Sequence, residues 1–206
     1  MPAEPRPERL GVLGGTFDPP HLGHVAAASA CLEQLGLDRV LFVVANDPWQ
    51  KTPVRDVTPA ADRLAMVEAA VRSIPRAEAS RIELDRGGPS YTVETVEALA
   101  ASARAAGRPD PEQFLIVGAD VIGSLPTWHR AARLAELVTL VVVRRPGAPG
   151  PNRVPGWRLE VVAGPELDLS SSEVRELLAA GRSARAMVPE AVERYIEAHN
   201  LYAVRR

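Results

Sequence analysis

The sequence predicts an α/β fold, a parallel sheet with helices on both faces and a small helical part at its C-terminal end. Three observations carry this. Short apolar runs rich in β-branched residues recur at 10–13, 40–45, 82–84, 114–117 and 138–143, each bounded by turn signals, as buried strands are. Helix-periodic stretches fall between them, and strands that alternate with helices run parallel because each return needs a crossover. Finally, 206 residues of which 46% are hydrophobic suffice for one core.

Taken in order, residues 1–9 carry no apolar h-region and read as a disordered lead-in, not a signal peptide. Strand 10–13 is followed by a helix over 22–35 and strand 40–45. Thr58-Pro59 supplies a cap with proline at the first helical position for a helix over 59–74. Strand 82–84 precedes a helix over 92–105, for which Gly107 is the stop. Strand 114–117, a broken helical stretch over 120–137 and strand 138–143 come next. Residues 146–156, with five prolines or glycines in the first six positions, read as a mobile loop. A sixth strand at 158–162 and helices at 171–180 and 189–199 close the chain. Residues 10–206 are thus expected to form one domain, its helical part running from about 164 to 206.

Composition removes whole classes of function. With 24 basic against 26 acidic side chains the net charge is −2, so binding nucleic acid by charge is not expected. Cys31 is the only cysteine, which excludes an internal disulfide framework and any site with two cysteine ligands, and points to a reducing, cytoplasmic setting. The longest apolar runs have strand length, well short of the about 20 residues of a membrane helix. The basic residues comprise 23 arginines and one lysine. Lys51 is not preceded by GxxxxG, so there is no P-loop, and no GxSxG places a hydrolase serine. Most of the arginines read as solvated surface.

In a parallel sheet of this kind ligands sit beyond the carboxyl ends of the strands, against helix N-termini. There the chain reads Gly14-Gly15-Thr16-Phe17-Asp18-Pro19-Pro20-His21-Leu22-Gly23-His24. Paired glycines let a ligand approach the backbone, and two histidines three apart share a solvent-facing side of the helix start, where imidazoles can donate to phosphate oxygens. The same residues also read as a tight turn with two solvated histidines, or as a metal site of Asp18, His21 and His24.

The string resembles the GGTFDPxHxGH signature of the nucleotidylyltransferase superfamily. Leu169-Ser170-Ser171-Ser172-Glu173-Val174-Arg175 is similar to that superfamily's ISSTxIR motif, with leucine, serine and valine in place of isoleucine, threonine and the second isoleucine. Ser170-x-x-Glu173 is equally a capping box that any well-made helix would carry. Between the two, Ser90-Tyr91-Thr92, Gly118-Ala119-Asp120, Pro126-Thr127-Trp128 and Val143-Arg144-Arg145-Pro146-Gly147 resemble the SYT, GxD, PTW and RRPG elements of bacterial nicotinate-nucleotide adenylyltransferases. That resemblance runs from about Leu10 to Tyr202. It departs at Pro48-Trp49-Gln50-Lys51, where many relatives carry Pro-His-Lys or Pro-His-Arg.

The resemblance implies a Rossmann-like sheet and transfer of the adenylyl group of ATP, carried with Mg²⁺, to nicotinate mononucleotide, with no metal held by the protein alone. It implies His21, His24 and Arg175 as catalytic groups. Gly14, Gly15, Thr16, Phe17, Gly118, Asp120, Ser170, Ser171 and Ser172 join them in holding ATP, and Asp18, Lys51, Tyr91, Thr92, Trp128 and Arg144 face the acceptor. The chemistry suits these residue types. The acceptor's phosphate is already an oxyanion nucleophile, so the protein must align two polyanions and stabilise growing charge, for which donors and cations serve. Trp128 offers an aromatic face and the backbone near Tyr91-Thr92 offers donors to a carboxylate, although Trp128 also reads as a core tryptophan and Tyr91 as a helix-entry staple. Two other readings stay open, a preference for nicotinamide mononucleotide and a nucleotide-sensing module without turnover. Oligomeric state is not legible.

Overall fold

A computed structural model describes residues 6–48, 56–144, 153–164, 167 and 169–203. Six strands, β1 (Arg9–Gly15), β2 (Arg39–Val44), β3 (Ala77–Ser80), β4 (Glu112–Gly118), β5 (Val138–Arg144) and β6 (Arg158–Ala163), form one sheet in the order β3-β2-β1-β4-β5-β6. Every pairing is parallel. Strand order reverses between β1 and β4, so the crevice at their carboxyl ends is the switch point where such sheets take ligands.

Alternation along the strands explains the two layers. Leu13, Phe42, Val40, Phe114, Ile116 and Val141 face one side, against α1 (Leu22–Gln34) and α2 (Ala60–Val71). Val12, Leu41 and Val43 face the other, with Leu99 of α4 (Thr92–Ala105) and Ile82 of α3 (Ile82–Arg86) upon them. Leu115, Val117, Leu140 and Val142 continue that face against α4, the 3₁₀ segment Ala119–Thr127 and α5 (Ala131–Leu137). The helical part, α6 (Ser171–Ala179) and α7 (Glu190–Ala198), shares a core with α2, where Val174, Val192 and Ile196 meet Met66 and Ala70.

Four expectations are corrected. The third strand is Ala77–Ser80, and Ile82 and Leu84 lie in α3. As an edge strand β3 is only partly buried, so it needs no apolar run, and Ile82 and Leu84 instead reach two different cores. Pro59 is the N-cap of α2 rather than its first helical residue, and no side chain caps that helix. Of the lead-in, residues 6–9 are structured: Arg6 grips both carboxylate oxygens of Asp38 at 2.8 and 2.6 Å, Glu8 pairs with Arg39 and β1 begins at Arg9. Within the expected 146–156 loop, Val154 is buried in the second core; residues 145–152 lie outside the described part.

Candidate active site

The signature loop leaves β1 at Gly15 and enters α1 at Leu22, with a cis bond between Asp18 and Pro19. Gly14 is exposed, and nothing lies within 4 Å of where a Cβ would stand, so a ligand can rest on bare backbone there. Phe17, at φ 51, turns its ring into the core, where it packs edge-on against His24 at 5.0 Å and beside Phe42. Thr16 is buried as well. Of these two residues only the backbone is left near a ligand.

His21 is not solvent-facing. It is 8% exposed and stacks on His24 with ring centroids 3.7 Å apart. Burial lowers its pKa to about 4, a shift that Glu173 partly opposes, so its imidazole is neutral at pH 7. The stacking depends on Gly23, since a Cβ there would come within 2.9 Å of His21 Nδ1. The His21 N–H donates to His24 Nδ1 at 3.1 Å. With Nδ1 accepting, the His24 proton belongs on Nε2. The first N–H of α1, on Leu22, is already given to the Met187 carbonyl at 2.8 Å, so the helix start offers fewer free donors than its position suggested.

A second helix start lies alongside. Leu169 is within 4 Å of a Cβ built on Gly23. At the head of α6 the Ser171 hydroxyl donates to the Pro19 carbonyl at 2.8 Å, while Arg175 donates from Nη1 to the Asp18 carbonyl at 2.8 Å and from Nη2 to the Ser172 hydroxyl at 3.0 Å. The capping box is also present, with the Glu173 N–H donating to Ser170 Oγ and the Ser170 N–H to Glu173 Oε2. Capping and site-building are therefore not rivals here. The cap fixes α6, and the fixed helix carries Ser171 and Arg175 to the signature loop.

Asp18, expected on the acceptor side, is buried. It is 1% exposed and its Oδ1 accepts from the Tyr202 hydroxyl at 2.8 Å. Burial, reinforced by the Asp18 charge, holds that hydroxyl protonated far above the usual phenol range. Among the described residues no group of His, Cys, Asp and Glu could hold a metal ion.

On the other flank, the loop after β2 runs beside the start of α4. The Asn46 N–H donates to Ser90 Oγ, the Asn46 side chain to the Gly88 carbonyl and the Ser90 N–H to the Asp47 carbonyl. Tyr91 is the N-cap of α4 and Thr92 its first residue. The Tyr91 ring stacks on His129 at 4.3 Å, a residue to which the sequence assigned nothing. Trp128 is half-buried against the same core as Tyr91 and donates from Nε1 to Ser124 Oγ. Gly118 ends β4, Asp120 stands exposed just beyond it, and Arg144 ends β5 on the same edge. Lys51 and Trp49 lie outside the described residues.

Sequence reasoning missed Arg63, Tyr202, Met187 and His129. None has a local signal, because each meets its partner far along the chain.

The pattern of the cytidylyltransferase-like family matches residues 12–177, which spans both motifs and makes the chain a nucleotidyltransferase of that class. A Thermus thermophilus protein named as a probable nicotinate-nucleotide adenylyltransferase is 50% identical over 197 residues, covering 94% of this chain and 99% of its own. One of the same name from Acidothermus cellulolyticus is 41% identical over 199 residues, covering 96% and 95%. The chain belongs to the nicotinate-nucleotide adenylyltransferase family. The fold is also that of the Plasmodium falciparum nicotinic acid mononucleotide adenylyltransferase solved in complex with NaAD, with a TM-score of 0.75 at 15% identity over 95% of this chain and 97% of that one. Among the described residues no helix is long and apolar enough to cross a membrane.

Proposed function

We propose that this site joins ATP to nicotinate mononucleotide, giving nicotinate adenine dinucleotide and pyrophosphate for NAD biosynthesis. The observation that carries the reading is the meeting, at the switch point of the sheet, of two helix starts around a stacked histidine pair, with Ser171 and Arg175 bound to the signature loop. A 5′-phosphate oxygen of the acceptor attacks the α-phosphorus in line, a new P–O bond forms and the α–β bridging bond breaks as pyrophosphate leaves. No protein nucleophile is needed. Bare backbone at Gly14 lets the triphosphate lie close, while Gly15 leaves room for the Phe17 ring, and Nε2–H of His24 donates to an oxygen of the triphosphate. His21, held neutral by burial, gains affinity for a proton as polyphosphate arrives, because opposite charge offsets its desolvation. Arg175 and the Ser172 hydroxyl sit where leaving-group charge grows, with Ser170 and Ser171 as helix anchors beside them, and Asp120 and Gly118 lie where a ribose would rest. Mg²⁺ would arrive bound to the triphosphate and would shield its charge.

Tyr91, Thr92, Trp128 and Arg144 form the acceptor flank, a role also assigned to Lys51 on its resemblance alone, while Asp18 serves the scaffold. Residues 10–206 act as one domain on small molecules in the cytoplasm, with no nucleic-acid partner. Mixing the protein with ATP, Mg²⁺ and each mononucleotide and measuring pyrophosphate tests the reading. Backbone donors left unpaired by a neutral amide should favour nicotinate over nicotinamide mononucleotide by roughly 30- to 1000-fold in kcat/KM. Equal turnover would refute carboxylate readout, and no turnover with either would favour the nucleotide-sensing module.

A further inference from the structure

Arg63 heads the fully buried side chains, at 1% exposed, although it carries a charge. It sits in the first turn of α2, beneath the ligand edge of the sheet. Its Nη1 donates to the carbonyl oxygens of Thr16 at 2.9 Å and Ala45 at 2.7 Å, its Nη2 to that of Asn46 at 3.3 Å and its Nε to that of Thr58 at 2.8 Å. Thr16 belongs to the signature loop. Ala45 and Asn46 belong to the loop after β2, and Asn46 is tied through Ser90 and Gly88 to the start of α4. One planar group thus joins the phosphate-side loop to the acceptor-side loop from behind.

The physical consequence follows from rigidity. A guanidinium presents its donors in a fixed fork, so carbonyls bound to it are held at a fixed separation, and buried carbonyls must be paired. Lysine, a single point donor on a flexible stem, cannot span the same set. Adjacent backbone pairing through the Ala45 N–H and the Gly15 carbonyl fixes the strand ends, but not the residues beyond them. Among the described residues, Arg63 spans the two loops through its bonds to the Thr16, Ala45 and Asn46 carbonyls.

We propose that Arg63 is a positioning residue that sets the separation of the two substrate-bearing loops, and with it the alignment of the acceptor phosphate on the α-phosphorus of ATP. The proposal rests on the site reading given above. A small error in such alignment costs much in rate while each substrate keeps its own contacts.

The test uses Arg63→Lys and Arg63→Ala, with His24→Ala as control. Arg63→Lys is expected to lower kcat roughly 100-fold while the Kd of ATP and of nicotinate mononucleotide, each measured alone by calorimetry, moves less than about threefold. In Arg63→Ala, added guanidinium ion at tens of millimolar, roughly, should restore kcat at least tenfold or so without raising Tm, because it supplies donors rather than stability. A wild-type kcat in Arg63→Lys overturns the proposal, as does parallel loss of both affinities and Tm. If Arg63→Lys does not fold, the guanidinium arm decides, and failure to restore turnover there, from whatever cause, overturns the proposal. Full activity in His24→Ala would overturn the site reading itself, whereas an inactive His24→Ala beside a fully active Arg63→Lys removes only the role of Arg63.

Discussion

The two flanks of the site are built differently. On the phosphate side, side chains from the signature loop, α6 and the C-terminal segment interlock through short hydrogen bonds, with Asp18 buried and His21 nearly so. On the acceptor side, the elements meet through the Asn46 and Ser90 side chains, backbone pairing and ring stacking, with Tyr91 and Trp128 only half-buried. The difference fits the two chemical tasks. Charge that grows in the transition state is stabilised best by donors that need not reorganise, whereas an aromatic acceptor needs a face and a few donors. Under the proposed function, the more rigid flank is the one at which the bond is made.

The comparison breaks first at His24. Removing its ring takes away the stacking on His21 and the edge contact with Phe17 and should lower kcat about 10²–10³-fold, the scale of one lost preorganised donor, with either mononucleotide as acceptor. Steady-state kinetics with both acceptors checks this. A loss confined to one acceptor would place His24 on the wrong flank.

A smaller effect separates burial from catalysis at His21. Its folded pKa, about 4, lies below the ordinary imidazole value, so between the two the unfolded chain takes up a proton that the folded chain refuses. The resulting stability is fully present above about pH 6.5 and is lost as pH falls toward 4, amounting to about 3 kcal/mol. Urea melts of wild type and His21→Asn between pH 4 and 7 should show wild type losing that much more than the variant. Equal slopes would mean that His21 is solvated in solution.

The smallest effect belongs to Tyr202→Phe, which keeps the ring and leaves Asp18 Oδ1 without that donor. A destabilisation of about 1–3 kcal/mol is expected, read as a lower urea midpoint at unchanged m. An unchanged midpoint would show that the C-terminal segment does not brace the signature loop.

What was legible in advance is local in every case. The string Gly14–His24 and the box Ser170–Glu173 carry their chemistry within a few residues, and the α/β class follows from runs that must be buried on both faces. The edge strand Ala77–Ser80 escaped because a strand with one neighbour need not be apolar. Arg63 escaped for a different reason, since among 23 arginines nothing in sequence marks this one as buried.

Sequence alone therefore determined the α/β class, the order of the elements apart from β3 and α3, and the residues of the two motifs, which depend on spacing along the chain, and its resemblance to a known family implied the class of chemistry. Tertiary structure decided which groups are free to act. It gave the first N–H of α1 to Met187, the Asp18 carboxylate to Tyr202 184 residues away, and the Thr16 and Ala45 carbonyls to Arg63. A buried polar group must find a partner wherever the fold supplies one, and which partner it finds is a property of three-dimensional packing that no local pattern records.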